Sequence, residues 1–267
     1  MHQSAIKKAA LEFNIPVYQP QRLRKNKDAF TVISGWKPDI CVVAAYGQIL
    51  PQKILDIPTL ACVNIHASLL PKYRGAAPIN WSIVRGETET GVTTMLMERG
   101  LDTGPMLQQV SIPISPNATA QDIHDDLSLL GAAMILPTIE GIIEGSITPE
   151  KQNDDLSSYA PMMEKSDGRI DWKKNNLDVH NLIRGMNPWP GAHALFDGKK
   201  IKIHASQPIV SDHKLEPGHI HITKNELIVG CLEGHIKILE IQPPNKKKMS
   251  ARDFLNGRQI TEEHTFS

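Results

Sequence analysis

DICVVAAYGQILPQKILDIPTLACVNIHASLLP, residues 39–71, decides the fold. Two of its pieces, DICVVAA (39–45) and ACVNIH (61–66), are short, nearly all apolar and rich in Val and Ile. Such runs suit parallel strands buried on both faces. Between them YGQILPQKILDIPT supplies a turn and a short helix. The alternation continues: APINWSIVRGE (77–87) reads as a helix stopped near Gly86, GVTTMLM (91–97) as a strand, and PMLQQVSIPI (105–114) as a continuation of the sheet. From Thr119 to Glu144 the apolar spacing is that of a long amphipathic helix, and Thr119 followed by Asp122 gives it a capping-box-like start. The pattern predicts an open α/β sheet.

Upstream, MHQSAIKKAALEFNIPVYQP reads as a helix followed by a short strand, with no strand before it. Downstream of Gly145 the texture changes. SITPEKQNDDLSSYAPMMEKSDGRIDW is polar and broken by Pro, which suggests a linker. We therefore expect a first domain over 1–147, a linker over 148–160 and a second domain over 161–267. In the latter, a short helix around Leu177 to Arg184 precedes GAHALFD, KKIKIHAS, GHIHITKNELIVG and GHIKILEIQ, separated by Gly and Asn turns. Short strands at such spacing indicate a small antiparallel barrel or sandwich. SARDFLNG forms a last helix after Lys246, Lys247 and Lys248.

With 267 residues, 40% of them hydrophobic, the chain can bury a full core, which excludes a disordered or fibrous protein. Lys plus Arg and Asp plus Glu each number 29, so any attraction to a polyanion must be a local patch. Cys41, Cys62 and Cys231 stand apart, without metal-site or redox spacing. Together with the lack of a signal peptide and of an apolar run of about 18 residues, this predicts a cytoplasmic chain without a membrane segment or an evident obligate protein partner.

In open α/β sheets ligands bind beyond the carboxyl ends of strands. Asn64 and His66 end the second strand and, two apart, share a face. A capping Asn and a surface His are the plain alternative. ERGLDTG (98–104) alters the balance, because its Asp102 sits in a Gly-bounded loop past the next strand, at what should be the same sheet edge. Taken alone, this Asp could equally be an Asx-turn residue.

Taken together, NIHASLLPKYRGAAPINW (64–81) and GETETGVTTMLMERGLDTGPML (86–107) resemble the folate-dependent formyltransferases, and within them the branch whose acceptor is methionyl initiator tRNA. DGRIDW (167–172) and RGMNPWPGA (184–192) extend the likeness into the second half. The resemblance implies a Rossmann-like formyltransferase domain followed by a small OB-like β-barrel. It implies 10-formyltetrahydrofolate as the formyl donor and no metal. It assigns catalysis to Asn64, His66 and Asp102. Asn64 and a protonated His66 would meet the developing oxyanion, with Asp102 orienting the imidazole, favouring its charged form and taking a proton from the attacking amine. Ser68, Leu69, Leu70 and Pro71 match the family's folate-binding signature. Tyr46, Gly47, Gln48, Ile49 and Leu50 occupy the place of its pterin-pocket loop, unless they form a plain strand-to-helix connection.

For tRNA phosphates the candidates are Arg74, Lys199, Lys200, Lys202, Lys246, Lys247 and Lys248, a solvated charged face being the alternative for each. His219 and His221 lack a third ligand for a metal. Members of the family open with a further strand, helix, strand and basic loop, on the order of 40 to 50 residues, that are missing from this chain. We expect DICVVAA to be left as an exposed edge, with poor solubility or self-association. Two other readings stand beside the leading one: a formyltransferase acting on an amino-sugar nucleotide, and a non-catalytic remnant that binds folate or tRNA.

Overall fold

The computed structural model describes residues 3–23, 26–210, 214–223, 225–257 and 260–267. In chain order its regular elements are α1 (Ala5–Glu12), α2 (Lys27–Gly35), β1 (Ile40–Ala44), α3 (Gln52–Leu55), β2 (Ala61–His66), β3 (Arg74–Gly75), α4 (Pro78–Val84), β4 (Glu89–Leu96), β5 (Met106–Pro113), α5 (Ala120–Glu144) and β6 (Tyr159–Ala160). The second half adds α6 (Asn176–Gly185), β7 (His193–Phe196), β8 (Lys199–Ile209), β9 (Ile220–Thr223), β10 (Glu226–Gly230), β11 (His235–Gln242), β12 (Met249–Ser250) and α7 (Ala251–Asn256). Lys224 lies outside the described residues.

The N-terminal sheet runs β1-β2-β4-β5. β1 and β2 are parallel, as their unbroken apolar composition predicts, but β4 is antiparallel to β2 and β5 is antiparallel to β4. Among the described residues β1 has a neighbour on one side only, and Val42 is exposed. The short strand expected after α1 does not form: residues 15–20 carry no regular structure among the described residues.

α5 begins as its sequence predicts. The Thr119 hydroxyl accepts the Asp122 amide and the Asp122 carboxylate accepts the Thr119 amide, so two otherwise orphaned N–H groups are satisfied. Ile123, Leu127 and Met134 pack with Ile83 and Val92. Gly131 permits the approach, since a Cβ there would lie 2.9 Å from Ile65. Contrary to the expectation that the chain has no apolar run of about 18 residues, α5 is long and apolar enough to cross a membrane by length and composition. Its packing on the sheet accounts for one apolar face, while Leu129, Leu136 and Ile143 are exposed on the other.

In the C-terminal half the antiparallel order is β7-β8-β11-β10-β9, with β12 against β11. Leu195 and Ser267 exchange two backbone hydrogen bonds, and the Phe266 amide donates to the Gly218 carbonyl. The chain terminus thus joins the β7 edge to the entrance of β9. Phe266 lies 4.8 Å from the Phe196 ring and 5.6 Å from Trp172 in a core with Phe254, Ile203 and Ile236.

The two halves are fastened through α4 and α6. The Trp81 indole donates to the Pro161 carbonyl, the Asn80 carboxamide to Gly185, and the buried Arg184 guanidinium to the carbonyls of Ser115 and Ala118. The segment read as a linker is packed as well: β6 pairs with β3, joining Tyr159 and Ala160 to Arg74 and Gly75.

Candidate active site

β2 carries Asn64 and His66 into the interior on one face of the sheet. The Nε2–H of His66 donates to the Tyr73 carbonyl at 2.9 Å. A carbonyl can only accept, so this contact places a proton on Nε2 and leaves Nδ1 as the atom turned toward Asp102, whose Oδ2 is 3.7 Å away. Asn64 is 9% exposed, and among the described residues its carboxamide has no hydrogen-bond partner. Its polar atoms keep access to solvent, so a ligand oxygen can meet the amide N–H.

Asp102 reaches His66 by a route the sequence did not show. Because β4 runs antiparallel to β2, its end at Leu96 pairs with Val63, and the Met97 amide donates to the Cys62 carbonyl. The β4–β5 loop must fold back from there. Asp102 takes a left-handed conformation, φ 53°, and its Oδ2 accepts the Gly75 amide at 2.8 Å. Gly75 has φ 120°, and a Cβ on it would stand 2.5 Å from the Ala160 carbonyl oxygen, so glycine is required on both counts.

The turn from Ser68 to Pro71 is held rigidly. Its Leu70–Pro71 bond is cis, the Ser68 hydroxyl donates to the Lys72 carbonyl, and the Leu70 amide donates to Thr93 Oγ1. Ser68 and Leu70 are buried in the wall, and Leu69 and Pro71 are half-buried. In the loop after β1, Tyr46 and Ile49 are exposed while Leu50 packs beside Leu23 and Ile54. Gly47 has open space around it. The Gln48 carboxamide accepts from the Leu23 amide and donates to the Gln21 carbonyl, tying the incoming chain to the loop.

Residues 2–139 match the family model described as formyl transferase, and residues 162–259 match that of the formyl transferase C-terminal domain. The chain belongs to the formyl transferase family. Its relatives include the methionyl-tRNA formyltransferase of Geobacter metallireducens, 50% identical over 256 residues, 96% of this chain and 81% of that protein. That of Caldanaerobacter subterraneus subsp. tengcongensis is 46% identical over 97% of this chain and 84% of its own length. Among solved structures, WlaRD, a sugar 3N-formyl transferase with dTDP and 5-N-formyl-THF, superposes with a TM-score of 0.68 at 24% identity, covering 91% of this chain and 82% of that one. HypX from Aquifex aeolicus with tetrahydrofolic acid gives 0.65 at 20% identity, over 86% of this chain and 41% of its own. The last two are similar in fold.

Lys199, Lys200, Lys202, Lys246, Lys247 and Lys248 are exposed, as a phosphate contact and a solvated charged face alike require. Lys202 pairs with Gln242, whose carboxamide donates to the Lys246 carbonyl, so both clusters lie at one end of the sheet. Burial, reinforced by the charges of Lys200, Arg169 and Lys202, pushes the His193 imidazole below its ordinary value. On a chain of zero formal net charge, three cations thus act on one ring. Lys248 is drawn aside to Glu240 at 2.5 Å.

The Arg74 guanidinium donates to Gln152 Oε1 from both Nε and a terminal nitrogen, and that same terminal nitrogen pairs with the exposed Asp154 carboxylate at 2.8 Å. Gln152 and the Tyr73 carbonyl, both at the site, were not found by sequence reasoning. A lone Gln in a polar, Pro-bearing stretch carries no signal, and a backbone carbonyl carries none in any sequence.

Proposed function

We propose that this chain transfers the formyl group of 10-formyltetrahydrofolate to the α-amine of methionyl initiator tRNA, for translation initiation in the cytoplasm. The observation that carries the reading is Asn64 and His66 on one face of β2, both nearly buried, with Asp102 Oδ2 3.7 Å from the ring. Near-full-length likeness to methionyl-tRNA formyltransferases at 46% and 50% identity selects the acceptor over the amino sugars of the structural neighbours, which are 24% identical or less.

The neutral α-amine attacks the formyl carbon, and the carbonyl oxygen becomes an oxyanion. The Asn64 N–H and the Nδ1–H of the protonated His66 ring, the one that its bond to the Tyr73 carbonyl leaves available, meet that charge as it forms, in a site from which most water is excluded. The proton shed by the amine passes to Asp102, directly or through water. When the C–N10 bond breaks, that proton is passed on to N10, directly or through water, and tetrahydrofolate leaves, with formyl-methionyl-tRNA as the other product. Ser68, Leu69, Leu70 and Pro71 supply a fixed wall for the folate. Tyr46, Gly47 and Ile49 border it on the other side, with Gln48 and Leu50 securing their loop. Lys199, Lys200, Lys202, Lys246 and Lys247 form the surface for tRNA phosphates, at the end of the C-terminal sheet. Arg74 is reassigned from that surface to the support of the site.

The test is formyl transfer from 10-formyltetrahydrofolate by the purified chain, with methionyl-tRNA and an amino-sugar nucleotide as competing acceptors. Turnover with methionyl-tRNA alone supports the proposal. Preference for the sugar would replace the acceptor, and folate binding without turnover on either would leave a binding remnant.

A further inference from the structure

Gln152 spends its whole hydrogen-bonding capacity around Asp102. Its Nε2 donates to the carbonyls of Asp102 at 2.8 Å and Gly104 at 2.7 Å, and its Oε1 accepts two N–H groups of Arg74, at 3.0 and 2.8 Å. The residue is 4% exposed, so these bonds are made away from water, where a missing partner is costly. The Gly75 amide, one residue beyond Arg74, donates to the Asp102 carboxylate. A closed ring results: Asp102 carboxylate, Gly75, Arg74, Gln152 and back to the Asp102 carbonyl. Asp154 holds the outer edge of the Arg74 fork, and β6 fixes Arg74 and Gly75 from the same stretch of chain.

Asp102 lies on a loop that doubles back from the far end of β2, in a left-handed conformation that aspartate tolerates better than most residues but that its neighbours here also fix. Tethering the carbonyl as well as the carboxylate fixes both ends of the residue. We infer that Gln152 is a positioning residue for the transfer: it sets the Asp102 backbone so that the carboxylate faces His66, and through it the stretch between the two halves becomes part of the catalytic apparatus. This rests on the formyl-transfer reading above.

The experiment compares Gln152→Ala and Gln152→Glu, each alone and with Asp102→Asn, in steady-state formyl transfer by the full chain, with amide hydrogen exchange measured on the same proteins. Gln152→Glu keeps an acceptor for Arg74 and removes both donors to the loop, so it tests the same claim should the alanine variant fail to fold. The expected result is a kcat loss of roughly 10²-fold with the KM for 10-formyltetrahydrofolate nearly constant, the scale that a misplacement of about 1 Å produces. In the Asp102→Asn background the Gln152 changes should add little, because their effect runs through that carboxylate. Exchange of the Gly75 amide should quicken while the α5 amides keep their protection. Unchanged kcat per folded molecule, losses that multiply with Asp102→Asn, or loosening spread evenly over the chain would each overturn the inference. A wild-type chain that transfers no formyl group would instead overturn the functional reading, and the Gly75 exchange would still decide whether Gln152 holds Asp102.

Discussion

The Asp102 carboxylate stands 3.7 Å from His66 Nδ1 while Nε2 of the same ring donates to the Tyr73 carbonyl. The imidazole is thus oriented from both sides by groups that accept hydrogen bonds. Its charged form would have an acceptor for each N–H, and the carboxylate, part of a loop tied by its own carbonyl, keeps the angle between them. Replacing Asp102 by Asn preserves shape and removes charge. We expect kcat to fall on the order of 10²- to 10⁴-fold with the KM for folate little changed. Steady-state kinetics check this; equal losses in binding and turnover would remove Asp102 from the transition state.

Gly75 couples two requirements, a left-handed φ and the absence of a Cβ against Ala160. Gly75→Ala should cost about 1–3 kcal/mol of stability through backbone strain. It should also displace the amide that holds Asp102, lowering kcat in the fraction that folds. Thermal melts and activity per folded molecule separate the two effects.

Among the described residues β1 pairs only with β2, and Val42 on it is exposed. An apolar strand edge is a template for pairing with another chain. Light scattering of the purified protein should show concentration-dependent association that Val42→Lys reduces. Identical association of the two proteins would place the interface elsewhere.

His180 is buried between the two halves, its Nε2–H donating to the Pro116 carbonyl and its Nδ1 accepting from the Ser206 hydroxyl. Burial, with the charge of Arg184 beside it, holds its pKa below the ordinary 6.5, against the opposing pull of Pro116. Above 6.5 both folded and unfolded forms are neutral and the group contributes nothing. As pH falls below 6.5 the unfolded chain takes up a proton first, so stability drops until the folded value is reached. Denaturant midpoints measured downward from pH 7 should fall less steeply for His180→Gln than for the parent.

Lys200 and Lys202 project from β8 beside Arg169 and His193. Reversing either charge should raise the KM for methionyl-tRNA and leave the folate KM unaltered. The slope of log affinity against log salt should shrink by about one for each phosphate no longer neutralised. An unchanged salt slope would make the patch a solvated face.

The strand–helix–strand reading of residues 39–71 survives in the structure, but burial on both faces holds for β2 and not for β1, which has no fully buried residue and exposes Val42 and Ala44. α5 starts at its cap for a local reason. The strand period likewise places Asn64 beside His66. The path of Asp102 was less legible. Placing it at the shared edge assumed that strands after β2 keep one direction, but β4 runs the other way, and the nine residues between Leu96 and Met106 return across the site. The expected strand near Pro16 failed because no neighbouring strand is available to pair with it among the described residues.

Local composition and period, acting over a few residues, determined the elements, the apolar strands and the identity of the polar groups at the end of β2. Only the tertiary structure decided which of those groups meet. Gln152 reads as an ordinary polar residue in its own stretch, and Arg74 as a surface cation. Both acquire their roles when a segment some fifty residues downstream of Asp102 packs against β3 and excludes water from their hydrogen bonds. Desolvation of that kind depends on what arrives from elsewhere in the chain, so it leaves no mark in the residues themselves.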